Sequence, residues 1–346
     1  MALLLGLQVF QIGPGLASAV CGRAFADLGA TVRCWGTDHS TPLAAYLDDG
    51  KVEAAGDLEG ADIIICEGRP AALRAAGIEP LALRARNAEA VIIAISPFGL
   101  TGPNSDLPAT DLTLFCASGI ARMLTGQVDD TREPPVRPIG EQSAFIGGLA
   151  AACAGMHGVL SGVKGALVDV SIQEALATLA ITEMTRASLT GRVWSRKKVS
   201  DGNGATVCIL PAQDGYAAIS PREDHQWASW LEVMGLPNWS EDARFETKVD
   251  RVANWDALHA LMSDWSRVQT KQTIADGAQA AHVPSFPLRE LTEQLRSPQL
   301  EQRNFYRPFA WQNRTLQVPG SAYGLSQAGP VGEPKLVAGQ MPLAGI

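Results

Sequence analysis

The residue best suited to covalent chemistry in this sequence is Glu141, the one carboxylate in a run of small and apolar side chains from Ile139 to His157. An acid at the start of such a run has two readings. As a first-turn residue of a helix it stabilises the helix through its dipole, by roughly 0.3–1 kcal/mol. As a buried carboxylate kept ionised by the helix N-terminus it is available as a nucleophile or base. Both readings stand at this point. A second candidate is Gly13-Pro14-Gly15-Leu16-Ala17-Ser18, placed between a strand pattern and a helix pattern, where a dinucleotide fingerprint would lie. It carries two of the three glycines, has Ser18 at the third place, and is followed by no acid on the next strand before Asp38. A turn that lets a ligand or helix approach is therefore a better expectation than NAD binding.

Other chemistries lack their residues. The histidines at 39, 157, 225, 259 and 282 form no HxxxH pair, and the cysteines at 21, 34, 66, 116, 153 and 208 form no CxxC pair, so no metal site is expected. The cysteines read as reduced core residues of a cytoplasmic protein, and His157 as a packed, hydrogen-bonded histidine. No G-x-S-x-G nucleophile elbow occurs.

The elements that must position these residues alternate in the first third of the chain. Leu7 to Ile12, Thr31 to Trp35, Asp62 to Cys66 and Ala90 to Ile95 read as strands, and Leu16 to Leu28 as a helix. The all-apolar runs are those of a parallel sheet covered on both faces, which predicts an α/β fold with a Rossmann-like, doubly wound large domain. A loop from Ser96 to Pro108 leads to a helix over about 111–124. A long Ala/Gly-rich helix then opens at Glu141 and runs through Leu160, with Ala144, Gly147, Gly148, Ala151, Ala152 and Gly155 admitting a close neighbour. Val168-Asp169-Val170 reads as a strand, and Ser171 to Glu174 as the capping-box start of a helix continuing to about Leu189. Basic residues cluster at Arg192, Arg196, Lys197 and Lys198, before the glycine-bearing Asp201 to Gly204. The tryptophan-rich stretch from Asp214 to about Gln302, with apolar spacing at Trp255, Leu258, Leu261, Met262 and Trp265, reads as a smaller α+β domain. Two short strands near Phe305 to Phe309 and Leu316 to Val318 precede a Gly/Pro-rich end without clear structure.

Composition narrows the partners. The 346 residues, 46% hydrophobic and 18% charged, suggest two domains, and a net charge of −8 with no Lys/Arg block argues against nucleic acid. The start has no basic n-region, and no segment approaches the ~20 apolar residues of a membrane helix, so no membrane association is expected.

Together, Ile95-Ser96-Pro97-Phe98-Gly99-Leu100-Thr101-Gly102-Pro103, Asp111, Ala117-Ser118-Gly119, Leu124-Thr125-Gly126 and Val168-Asp169-Val170-Ser171 resemble the class III CoA-transferases, the family of carnitine and bile-acid CoA-transferases, formyl-CoA transferase and α-methylacyl-CoA racemase. Ala26 to Ala30, Leu83 to Asn87, Asp214-Gly215-Tyr216 and Glu241 to Phe245 extend the resemblance over nearly the whole chain. It implies a large domain built from both chain ends (1–198 and a returning 305–346), a smaller domain over 199–304, and an interlocked homodimer. It also implies acyl-CoA and a small carboxylic acid as substrates, with coenzyme A the group exchanged. A carboxylate attacks the thioester to give a mixed anhydride, then an enzyme–CoA thioester, then the new acyl-CoA.

By spacing to the V-D-V-S strand, the counterpart of the family's catalytic Asp is Glu141. CoA is expected over Gly15, Leu16 and Ala17, with Lys51, Gly68, Arg69 and Ser96 near its nucleotide half and the glycines at 202 and 204 in a loop over the site. The chain departs from the family in several places. Glu141 replaces Asp, Thr110 stands where the racemases have His, and Leu47-Asp48-Asp49-Gly50-Lys51 puts two acids where CoA phosphates are expected. The first reading is an acyl-CoA:carboxylate CoA-transferase. The second is a diverged, non-catalytic subunit that pairs with an active homologue, and the third an NAD-dependent dehydrogenase.

Overall fold

The computed structural model describes residues 3–37, 40–54, 56–124, 128, 130–135, 138–191, 205–323, 325–327 and 335–337. The chain divides into two compact units, one of Met1–Ala121, Val136–Thr185 and Ser297–Ile346, the other of Arg122–Pro135 and Arg186–Arg296.

The first unit is built on a six-stranded parallel sheet. Its strands are β1 (Gln8–Ile12), β2 (Thr31–Trp35), β3 (Val52–Glu53), β4 (Ile63–Glu67), β5 (Val91–Ser96) and β6 (Leu167–Ser171), in the order β3-β2-β1-β4-β5-β6. The order reverses between β1 and β4. The helices that cover the sheet explain why β4 is apolar from Ile63 to Cys66 and β5 from Val91 to Ile95. Ile64, Cys66, Ile92 and Ala94 pack with Leu73 of α3 (Pro70–Ala75) and Leu83 of α4 (Pro80–Arg86). On the opposite face, Ile93 meets α1 (Leu16–Asp27) and α7 (Gln142–Leu160), where Phe25 and Gly155 close on it. Full burial of each such isoleucine is worth about 1.5–3 kcal/mol.

Between them in chain order lie α2 (Pro42–Asp48), α5 (Asp111–Ala117) and α6 (Ile120–Leu124). The helix expected over 111–124 is thus two, because Gly119 takes φ +81 between them. The helix expected from Ser171 to Leu189 is likewise α8 (Ile172–Thr178) followed by α9 (Ile181–Thr190); Ser171 Oγ accepts from Glu174 N–H at its start.

The small residues of α7 do what their size suggested. A Cβ on Gly148 would lie 2.5 Å from Ala17 O and 2.7 Å from Val20 Cβ, and one on Gly155 would lie 2.3 Å from Ile93 Cδ1. Two expectations are corrected on the other side of this helix. His157 is exposed rather than packed, and so is Cys153; Cys116 on α5 is exposed as well, while Cys21, Cys34, Cys66 and Cys208 are buried. A third correction concerns length. With 19 residues, α7 is by length and composition apolar enough to cross a membrane, yet its Gly-lined side packs on α1 and β5 as part of the layer over the sheet.

The chain returns to this unit as a hairpin of β10 (Tyr306–Trp311) and β11 (Arg314–Pro319). Tyr46 of α2 donates its hydroxyl to Pro319 O at 2.8 Å and meets Phe309 edge-on at 6.0 Å, and Arg307 bonds Asp49 at 3.0 Å. The end expected to lack structure contains a further pair, β12 (Leu325–Gln327) with β13 (Lys335–Val337).

The second unit holds an antiparallel sheet of β7 (Cys208–Ala212), β8 (Gly215–Ile219) and β9 (Ser285–Pro287). One face packs with α10 (Asp224–Val233), α12 (Trp255–Ser266) and α13 (Lys271–Ala280), α11 (Lys248–Ala253) preceding α12. Leu210, Ala217, Ile219, Trp230, Leu258, Met262 and Ile274 form the core, with Trp230 edge-on to Trp265 at 5.4 Å.

Candidate active site

In open sheets of this kind ligands bind outside the carboxyl ends of the strands, where the order reverses. Here that place is bordered by the turn after β1, by Glu67 at the end of β4 with Gly68 and Arg69 after it, and by Ser96 at the end of β5. Gly13 takes φ +87 and donates its N–H to Trp35 O at 2.8 Å, which folds the turn back so that Gly15 opens α1. Gly15 then comes against Glu67. Ser18 N–H donates to Glu67 Oε2 at 2.7 Å, and a Cβ on Gly15 would stand 2.2 Å from that oxygen. Burial pushes the Glu67 carboxyl up from the ordinary carboxylate range, opposed by the hydrogen bonds from Ser18 and Ala17. A sequence reading misses this contact, since 49 residues separate the partners.

Of the expected CoA contacts, Gly15 and Leu16 are partly exposed and Ala17 is buried. Gly68 donates to Ile95 O at 2.9 Å, which brings it beside Ser96, a fully buried residue whose hydroxyl has no hydrogen-bond partner among the described residues. Arg69, half-buried, precedes α3 and spends one N–H on Asp106 O at 2.8 Å. These residues are brought together.

Lys51 is not among them. Its side chain is fully buried behind α1, where Nζ donates to Gln11 Oε1 at 2.7 Å, Ala19 O at 2.9 Å and Asp48 Oδ1 at 2.7 Å. An ammonium has three donors, so none is left for a phosphate. Burial lowers the Lys51 pKa and Asp48 works against that shift. The two acids set against the CoA phosphates are also accounted for, Asp48 by Lys51 and Asp49 by Arg307 and Arg23.

Glu141 differs from both sequence readings. It is the residue before α7, not part of its first turn, and its side chain is exposed on this chain, not buried. Its backbone takes φ 55, ψ 35, a left-handed conformation that costs a residue with a side chain roughly 1–2 kcal/mol. A side chain at this position ordinarily accepts from an amide of its own first turn. Glu141 makes no such bond, because Asp111 of α5 supplies the acceptor to Ser143 N–H at 2.8 Å. Among the described residues the carboxylate therefore has no hydrogen-bond or ion-pair partner, and it stands at the positive end of a long helix. Gly148, about two turns further on, touches Ala17 O, so Glu141 stands about 10 Å along the helix axis from the start of α1.

The second unit has a cavity of about 1250 Å³ lined by Tyr216, Phe286, Trp255, His259 and Ser263, and no expected site residue borders it. Among the described residues no group of three or more His, Cys, Asp or Glu is placed to hold a metal. Arg192, Arg196, Lys197, Lys198 and the loop Asp201 to Gly204 lie outside the described residues, as do Asp38, Thr125 and Gly126.

Comparison with known proteins adds a second line. Residues 53–337 match CoA-transferase family III. A probable CoA-transferase of Mycobacterium tuberculosis is 27% identical over 343 residues, which take in 87% of this chain and 42% of that relative; the chain spans less than half of its length. The succinate–glutarate CoA-transferase of Agrobacterium fabrum is 23% identical, over 91% of this chain and 87% of its own. Among solved structures, a CaiB/BaiF family protein from Brucella suis superposes with a TM-score of 0.77 at 21% identity, covering 92% of this chain and 94% of that one. At that identity the likeness is one of fold.

Proposed function

Since the chain belongs to CoA-transferase family III, we propose that it moves coenzyme A from an acyl-CoA to a small carboxylic acid, with Glu141 as the nucleophile. The observation that carries this reading is the Glu141 carboxylate at the head of α7, without a partner among the described residues and with its capping duty taken by Asp111.

The chemistry balances without an added proton. A Glu141 oxygen attacks the thioester carbonyl, the C–S bond breaks, and CoA leaves as thiolate with the mixed anhydride behind it. The thiolate attacks the Glu141 carbonyl of that anhydride, releasing the donor acid as carboxylate and leaving a Glu141–CoA thioester. The acceptor carboxylate attacks this thioester, and the thiolate expelled then takes the new acyl group, restoring Glu141. Gly15, Leu16, Ala17, Gly68, Arg69 and Ser96 line the path of CoA, and Lys51 supports α1 from beneath through Ala19 O without reaching that path. Arg69, with guanidinium donors beyond the one on Asp106, is the cation in this set for a phosphate.

The large domain is Rossmann-like and assembled from both ends of the chain, with the smaller domain between them in sequence, and the active molecule is an interlocked homodimer. Support for the dimer comes from exposed apolar side chains on α7 and α9, Leu149, Leu160, Ile181, Met184 and Leu189, the last 79% exposed.

Incubation with an acyl-CoA, trapping with hydroxylamine or borohydride, and peptide mass spectrometry should place the label on Glu141. E141Q should lose turnover, and E141D, its carboxylate withdrawn by about 1 Å, should slow by up to ~10²-fold. Turnover without label on Glu141, or turnover surviving E141Q, sinks the covalent route. The rival reading, a diverged subunit that needs an active homologue, draws on the burial of Lys51 away from the CoA path. Turnover by the purified chain alone removes it.

A further inference from the structure

The start of α1 has the attributes of an anion site. It follows β1, borders the reversal of strand order, and offers helix-terminal N–H groups at the positive end of a dipole. The protein fills that place itself. Ser18 N–H donates to Glu67 Oε2 at 2.7 Å, and Ala17 N–H bonds the same carboxylate. Gly15 is what admits it, since any Cβ there would collide with the carboxylate.

We propose that Glu67 is a specificity-determining residue whose carboxylate plugs the anion-accepting start of α1, barring phosphate groups from the crevice so that the part of the substrate crossing Gly13 to Gly15 is uncharged. Two effects act together. The amides a phosphate would need are already occupied, and a phosphate brought there would face a fixed negative charge. Juxtaposed like charges of this kind are costly to binding. An uncharged segment bearing N–H or O–H donors meets no such barrier, because a carboxylate has lone pairs beyond those that the two amides use. The proposal rests on the acyl-CoA reading for the identity of that segment: in an acyl-CoA it is the amide-containing arm between the phosphates and the thioester. The plug also gives a physical reason for the poor dinucleotide fingerprint, since a pyrophosphate seated on α1 would have to displace Glu67.

The test uses the full chain and inorganic pyrophosphate, without acyl-CoA, so that its outcome is separate from the fate of the transferase reading. Binding is titrated by calorimetry, and amide hydrogen exchange of the peptide spanning residues 14–20 locates it. For the wild-type chain, no added protection of residues 14–20 is expected. Glu67→Ala should bind pyrophosphate at least about tenfold more tightly and gain protection in that peptide. Glu67→Gln keeps an acceptor for Ser18 and loses only the charge, so it should gain a smaller share and serves if the alanine variant does not fold. Protection of residues 14–20 by pyrophosphate in the wild-type chain overturns the proposal. So does a folded variant that gains none.

Discussion

Gly15 leaves no space for even one carbon, and the consequence is local. Gly15→Ala should push the Glu67 carboxylate off the amides of Ala17 and Ser18 and cost about 1–3 kcal/mol, as overpacking generally does. Urea unfolding reads this directly, and unchanged stability would mean that the carboxylate is held only loosely. Glu67 also sets a pH dependence. Its folded pKa is raised, so its contribution to stability is fully present below the ordinary glutamate pKa of about 4.3 and is lost as pH rises through the folded value. The stability of the wild-type chain relative to E67Q should therefore fall as pH rises above about 4. A difference that rises with pH would reverse the assignment of burial as the dominant cause. At Lys51 the expectation is harsher, since Lys51→Met leaves Asp48 buried without its cation, and removing one partner of such a pair costs about 3–5 kcal/mol. These roles were illegible in the sequence for one reason. Lys51 meets Gln11 across 40 residues, Glu67 meets Ser18 across 49, and Asp111 meets Ser143 across 32, so nothing in the local pattern reports them.

Helices and strands were easier to read where burial is uniform. The runs Ile63 to Cys66 and Val91 to Ile95 announce strands covered on both faces, whereas Val52–Glu53 is two exposed residues and carries no such pattern. Breaks within helices were missed where one residue decides, as at Gly119. On α7 the small-residue pattern was legible and its outward face was not, because periodicity cannot say which side of an apolar helix a second layer covers. Gly148 is the sensitive point of the contact between α7 and α1. Gly148→Ala should prise the two helices apart against the backbone of Ala17 and lower stability by about 1–3 kcal/mol, and because α7 carries Glu141, turnover should fall further than stability alone predicts. Parallel unfolding and steady-state kinetics separate the two effects. Equal losses would show that α7 does not position the carboxylate.

For the molecule as a whole, the exposed leucines and isoleucine of α7 and α9 are where the proposed dimer is tested. The chain of 36.6 kDa should sediment at twice that mass, and glutamate at both Leu160 and Leu189 should return it to the single mass. A wild-type chain that sediments at 36.6 kDa removes the homodimer. The returning hairpin has a different consequence, one that concerns synthesis. The parallel sheet is complete once Ser171 has been made, yet the partners that Tyr46 and Asp49 find at Pro319 and Arg307 lie 273 and 258 residues away. Between them the ribosome must deliver the entire stretch from 186 to 296, a compact unit with its own core. The middle of the chain can thus fold while the beginning still waits for its last strands. Until Pro319 emerges, Tyr46 of α2 keeps Arg23 over its ring but lacks Phe309 and the acceptor for its hydroxyl, and a nascent chain stalled in that interval leaves that side uncovered for as long as the stall lasts.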